Sequence, residues 1–134
     1  LWDYAEVHGI ADRIVLVLTS DFGRTNFYNA GDGKDHWPIS SVMVQEKNTG
    51  WGNRVVGKTD CYHNAIALYP STLAENPNQA ACPEDPFERP DTPEGATNIY
   101  PKHVHAALRD YFGIGDQTIT SAFPLGQAEF EFFG

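Results

Sequence analysis

Residues 14–38 read IVLVLTSDFGRTNFYNAGDGKDHWP. The stretch opens on consecutive apolar residues, Ile14, Val15, Leu16, Val17 and Leu18, and turns polar at Thr19 and Ser20. A short apolar run bounded by turn signals predicts a buried strand. Apolar residues on both of its faces predict a central strand covered by helices on each side. A loop over residues 20–38 follows. It carries Asp21, Arg24, Asn26, Asn29, Asp32, Lys34, Asp35 and His36, and is punctuated by Gly23, Gly31 and Gly33. Open α/β sheets bind ligands where polar loops leave the carboxyl ends of strands. This loop is therefore the candidate site.

Outward from the loop, residues 1–8 have near-helical apolar spacing, with Gly9 as a stop and His8 suited to the helix's negative end. A helix feeding a strand is a unit of an α/β sheet. A second strand is expected over residues 39–44, a turn over 48–53, and a short strand over 54–57 ended by Gly57. Residues 59–98 read as a long irregular, Pro-rich insertion. They hold Pro70, Pro77, Pro83, Pro86, Pro90 and Pro93, and Pro101 lies just beyond. Irregular stretches this long in a compact domain point to function or to disorder. The acids Glu84, Asp85, Glu88, Asp91 and Glu94 read most simply as a solvated surface, since no calcium-ligand spacing joins them.

Pro101 predicts the start of the clearest helix, with an apolar stripe of Val104, Ala107, Leu108, Tyr111 and Phe112 and a stop at Gly113. His103 and His105 lie two apart, point to different faces, and read as surface residues rather than a metal pair. In the tail, Phe130 and Phe132 alternate with acids, as in an edge strand or a segment packing on a neighbour.

The chain has 134 residues, 41% of them hydrophobic, which suits one folded domain over residues 1–134. A formal charge of −9 argues against free nucleic acid and anionic membrane as partners. No apolar run is long enough for a membrane-spanning helix. The chain begins Leu-Trp-Asp, which reads as a processed chain or a fragment. Cys61 and Cys82 are too few for a four-ligand zinc site. A disulfide and two free thiols both remain open.

The chemistry follows from residue types. Asp21 stands at the end of the first strand, and Asp35 and His36 directly before the second. If the strands are neighbours, the three converge. Carboxylate oxygen with imidazole nitrogen is an ordinary ligand set for zinc or manganese. Arg24 offers a planar donor fork for phosphate or sulfate, and Lys34 adds a point charge. The plainer reading is that Asp, Asn and Gly make turns, with Asp35 orienting His36. A sugar-binding module using Trp37, Trp51 and Tyr62 is a further reading, although such aromatics more often belong to cores.

Several motifs then occur in order: residues 19–25 (TSDFGRT), 33–37 (GKDHW), 57–60 (GKTD), 99–104 (IYPKHV) and 111–114 (YFGI). Together they resemble the C-terminal part of a bacterial family known as domain of unknown function 1501, in the alkaline phosphatase and sulfatase superfamily. The resemblance implies part of an alkaline-phosphatase-like α/β sheet flanked by helices. It also implies a fragment or subunit of a metal-dependent hydrolase acting on phosphate or sulfate esters. Asp21, Asp35 and His36 would lie at a divalent metal (zinc, manganese or calcium), with Arg24, Lys34 and Asn26 toward a small anionic ester. Phe22 stands where many relatives have His, and no Ser or Thr here is a persuasive nucleophile. The missing N-terminal half or another chain would have to supply one. The resemblance further implies a periplasmic or otherwise exported protein, such proteins frequently carrying a twin-arginine signal, which would lie before residue 1. The rival expectation is a non-catalytic structural or assembly subunit that keeps the fold.

Overall fold

A computed structural model describes residues 1–79, 82, 84, 91–115, 117–125 and 130–134, and of Ile119 the backbone alone. The chain is mixed α/β and falls into two compact units, residues 1–54 and 55–134.

The first unit opens with helix α1 (Trp2–Val7). Gly9 ends it, with φ +63°. Its N–H donates to Glu6 O at 3.0 Å, and the Ile10 N–H donates to Ala5 O at 2.9 Å. These two bonds satisfy carbonyls left over by the last turn, in the pattern that favours glycine. A short 3-10 turn (Ala11–Arg13) leads into β1 (Val15–Thr19), which pairs antiparallel with β4 (Val42–Glu46). Val17 stands opposite Val44 and Leu18 opposite Met43.

Two expectations change here. The strand beginning near residue 39 starts later, at Val42. More importantly, among the described residues β1 is not a central strand covered on both faces. It lies in a two-stranded antiparallel ribbon, and Val17 and Leu18 remain 38% and 45% exposed. The apolar run dictates extended backbone, but two short strands cannot bury both of their faces. Ala5, Ala11 and Thr25 are the buried side chains of this unit among the described residues.

Residues 20–38 form a second ribbon rather than an open loop. β2 (Gly23–Arg24) pairs antiparallel with β3 (His36–Trp37). Gly23 is required at its place: a Cβ there would stand 1.9 Å from the carbonyl oxygen of Ile39.

Residues 54–57, where the chain passes from the first unit to the second, are not a strand. Gly57 has φ +83°, which takes the backbone out of the extended region, and Val55 is exposed. The insertion is less irregular than expected. β5 (Leu68–Tyr69) and β6 (Ala74–Glu75) make a small hairpin, and Leu68 also bridges to Thr97. Ile66, Ala67 and Leu68 are buried there, and Lys58 pairs with Glu75. Cys61 and Cys82 are joined as a disulfide, with Cα atoms 5.7 Å apart. Of the acid cluster, Glu84, Asp91 and Glu94 are exposed, while Asp85 and Glu88 lie outside the described residues.

Helix α2 (Pro101–Tyr111) starts at the expected proline and ends at Gly113, φ +65°. The N–H groups of Gly113 and Ile114 donate to Asp110 O and Arg109 O, as at the end of α1. Its buried face differs from the predicted stripe. His103, Ala106 and Ala107 are buried, whereas Tyr111 and Phe112 are exposed. His103 is thus no surface residue. Its Nδ1 accepts the Tyr100 backbone N–H at 3.1 Å, and its ring lies against Phe130, centroids 5.0 Å apart. Phe130 is itself buried and stacks on Phe132 at 5.0 Å. The described tail (residues 130–134) is a turn packed on its own unit, not an edge strand. A short helix α3 (Thr118–Ser121) precedes it.

Candidate functional site

The β2–β3 ribbon positions Arg24, Asp35 and His36, and its register divides them. Arg24 stands directly opposite His36. The ladder continues one step further, where the Thr25 N–H donates to Asp35 O at 3.1 Å. Side chains alternate faces along a strand, so Arg24 and His36 share one face and Thr25 and Asp35 the other.

On the first face, Phe22 is the platform. The His36 ring stacks on it at a centroid distance of 3.7 Å and an interplanar angle of 23°. The Arg24 guanidinium carbon lies 4.8 Å from the same ring's centre, within reach of a cation–π attraction. Arg24 Nη1 also donates to the Lys34 carbonyl at 3.0 Å, which ties the side chain to the opposite limb of the loop. Arg24 and His36 are both exposed.

On the other face, Asn29 organises the turn. Its Oδ1 accepts the N–H groups of Gly31 and Gly33, both at 3.0 Å, and its Nδ2 donates to Asp35 Oδ1 at 2.8 Å. Thr25 is buried. Its hydroxyl donates to Phe27 O at 2.9 Å and accepts the Asp35 N–H at 3.2 Å. Asp32, at φ 55°, takes the left-handed position that Asp tolerates better than bulky residues.

Asp21 is exposed; its Oδ1 accepts the Phe22 N–H at 3.0 Å and sits 3.4 Å from the Ser20 hydroxyl. Lys34 Nζ lies 5.2 Å from the centre of the Tyr28 ring. Asn26 is exposed. Trp37, Trp51 and Tyr62 are half-buried, as framework aromatics are.

The ribbon therefore brings Arg24 and His36 together and holds Asp35 on a different face from its neighbour His36. Each proposed ligand has a partner inside the loop. Among the described residues, no three His, Cys, Asp or Glu side chains group closely enough to hold a metal ion. As placed, the donor set does not fit a resident metal: His36 would have to leave Phe22, and Asp35 would have to leave Asn29. Residue types alone could not show this, because it depends on strand register. Phe22 and Asn29 are the residues whose roles sequence reasoning missed. A hairpin reading of Gly23–Arg24 against His36–Trp37 is the signal that would have found them.

Comparison with protein-family models, curated proteins and solved structures finds no match for this chain. Among the described residues, no helix is long and apolar enough to cross a membrane.

Proposed function

We propose that this chain is a fragment or subunit of a metal-dependent hydrolase acting on phosphate or sulfate esters, and that its β2–β3 ribbon contributes to binding the anion. One observation carries the proposal: Arg24 and His36 are exposed cross-strand neighbours on one face, both lying over Phe22. A guanidinium fork beside an imidazole suits a tetrahedral oxyanion. Lys34, in the same hairpin, adds positive charge in an otherwise acidic chain, and Asn26 adds an amide. The ordered motifs support a place in the alkaline phosphatase and sulfatase superfamily. In that superfamily a divalent metal polarises the ester. Asp21, Asp35 and His36 are the residues that would lie near it here, after the rearrangement described above. The Cys61–Cys82 disulfide agrees with an exported protein, because disulfides persist in oxidising compartments.

A second reading is favoured by a specific observation. Phe22 covers the His36 ring, and the carboxylates serve the backbone and Asn29. Such a loop suits a non-catalytic assembly subunit that retained the fold and uses its polar residues for structure.

Calorimetric titration of the full chain with phosphate and with sulfate, without and with zinc or manganese, separates the readings. The hydrolase reading expects anion binding that Arg24→Ala abolishes. It also expects a metal dependence that Phe22→His strengthens, since the change frees His36 and adds a second imidazole. If neither anion nor metal binds, and Arg24→Ala and His36→Ala alter only thermal stability, the assembly reading stands.

A further inference from the structure

Thr120 is buried, at 9% exposure, and its hydroxyl meets more acceptors than it can serve. Its Oγ1 lies 2.6 Å from the Gln117 carbonyl oxygen and 2.9 Å from those of both Ile114 and Gly115. Donating to the carbonyl three residues back is ordinary for a threonine in a helical turn. A hydroxyl carries a single proton, however, and cannot also serve two further oxygens at full strength. The other contacts set lone pairs against lone pairs at hydrogen-bonding distance. Backbone donors relieve this in part: the Gln117 N–H reaches Ile114 O at 3.3 Å, and the Thr120 and Ser121 N–H groups reach Gln117 O at 2.9 and 3.1 Å. The carbonyls of Ile114 and Gly115 belong to adjacent residues yet approach the same atom, which brings their negative ends together.

The position adds to the negative potential. The cluster begins three residues after α2 ends, at the negative pole of that helix, and Asp110 of its last turn is exposed. Arg109, the basic residue of that turn, donates elsewhere, to Phe123 O at 2.7 Å. Ile114, Gly115 and Gln117 are exposed, and a Cβ at Gly115 would meet no described atom within 4 Å, so an ion can approach from solvent. Asp116 stands between Gly115 and Gln117 in sequence and lies outside the described residues.

We propose that Ile114 O, Gly115 O, Gln117 O and Thr120 Oγ1 form a binding site for a hard, oxygen-preferring cation of the calcium or sodium class. Carbonyl oxygens suit such ions, whereas zinc favours nitrogen and sulfur. Oxygens about 2.3–2.6 Å from one calcium ion and about 72° apart, as in a pentagonal bipyramid, stand about 2.7–3.1 Å from each other. The contacts at Thr120 Oγ1 are close to that spacing. The ion supplies the positive charge that one proton cannot, and water completes its shell. Uncharged donors make a weak site, with a Kd of about 1 mM. The site belongs to the second unit and does not rest on the hydrolase reading.

The test is a titration of the full chain with calcium chloride and with sodium chloride, against choline chloride at matched ionic strength, followed by amide NMR. At least one of the two ions should shift the amides of residues 114–121 saturably, and choline should not. At about 10 mM, an ion with a Kd of about 1 mM favours the folded second unit by about tenfold, read as a raised unfolding midpoint. Thr120→Val keeps the shape, removes the oxygen and should abolish the response, whereas Thr120→Ser keeps the oxygen and should retain it. Protection of the α2 amides shows whether each variant is folded. A wild-type chain without a saturable response overturns the proposal, as does a response at exposed acids instead of residues 114–121. So does a folded Thr120→Val that responds as wild type does. Should Thr120→Val unfold α2, the wild-type titration and Thr120→Ser decide, and loss of the response in folded Thr120→Ser overturns the proposal.

Discussion

Asn29 sits among the polar residues of the loop and has no charge, yet its side chain holds the turn together. It accepts two backbone N–H groups and donates to Asp35. Replacing it with alanine leaves those groups without their partner and should cost the first unit about 1–3 kcal/mol, read by chemical unfolding. A sharper measurement is a double-mutant cycle. Asn29→Asp keeps the acceptor for Gly31 and Gly33 but sets two carboxylates against each other. Adding Asp35→Asn returns a donor to that contact, so the pair should be more stable than the sum of the single changes predicts. His103 allows a parallel test in the second unit. Its Nδ1 occupies the place that Glu or Gln takes in a capping box, three positions after the residue that precedes the helix. His103→Gln should therefore retain more stability than His103→Ala, and a thermal melt of the two variants decides it.

Both longer helices end where glycine can enter the left-handed region, at Gly9 and Gly113, and both ends were legible because this conformation excludes most other residues. Strand β1 was legible as extended backbone from its apolar run. Its partner and its exposure were not, because one strand's sequence carries no record of how many neighbours it has. The β2–β3 ribbon escaped a sequence reading for a different reason. Its strands are two residues each, too short to show alternation, and its essential residue, Gly23, looks like any loop glycine. Gly23→Ala should disrupt this ribbon, since the new methyl would overlap the Ile39 carbonyl. Loss of amide protection at Thr25, with α1 unchanged, would show it. The β5–β6 hairpin was missed because Leu73, at φ 57°, takes a turn position that normally announces itself with Gly or Asn.

For the chain as a whole, the disulfide is the main covalent restraint on a segment with little regular structure. Cys61 and Cys82 are 21 residues apart, and closing a loop of that size restricts the unfolded chain by about 3 kcal/mol in the chain-entropy account. The Cys61→Ser/Cys82→Ser variant should lower the unfolding midpoint of the second unit, with little effect on the first, and amide exchange resolves the two. Composition and local pattern were enough for a mixed α/β chain, its helix ends, its first strand and the polar and basic residues of the loop that follows it. These depend on backbone preferences and residue chemistry, which neighbours in sequence express. Three-dimensional packing alone sets which of those side chains share a face, that Phe22 lies beneath His36 and Arg24, that His103 is buried against Phe130, and that β1 pairs with β4. Each of these follows from register and contacts between residues distant in sequence, and a slip of one residue in pairing would reverse the faces.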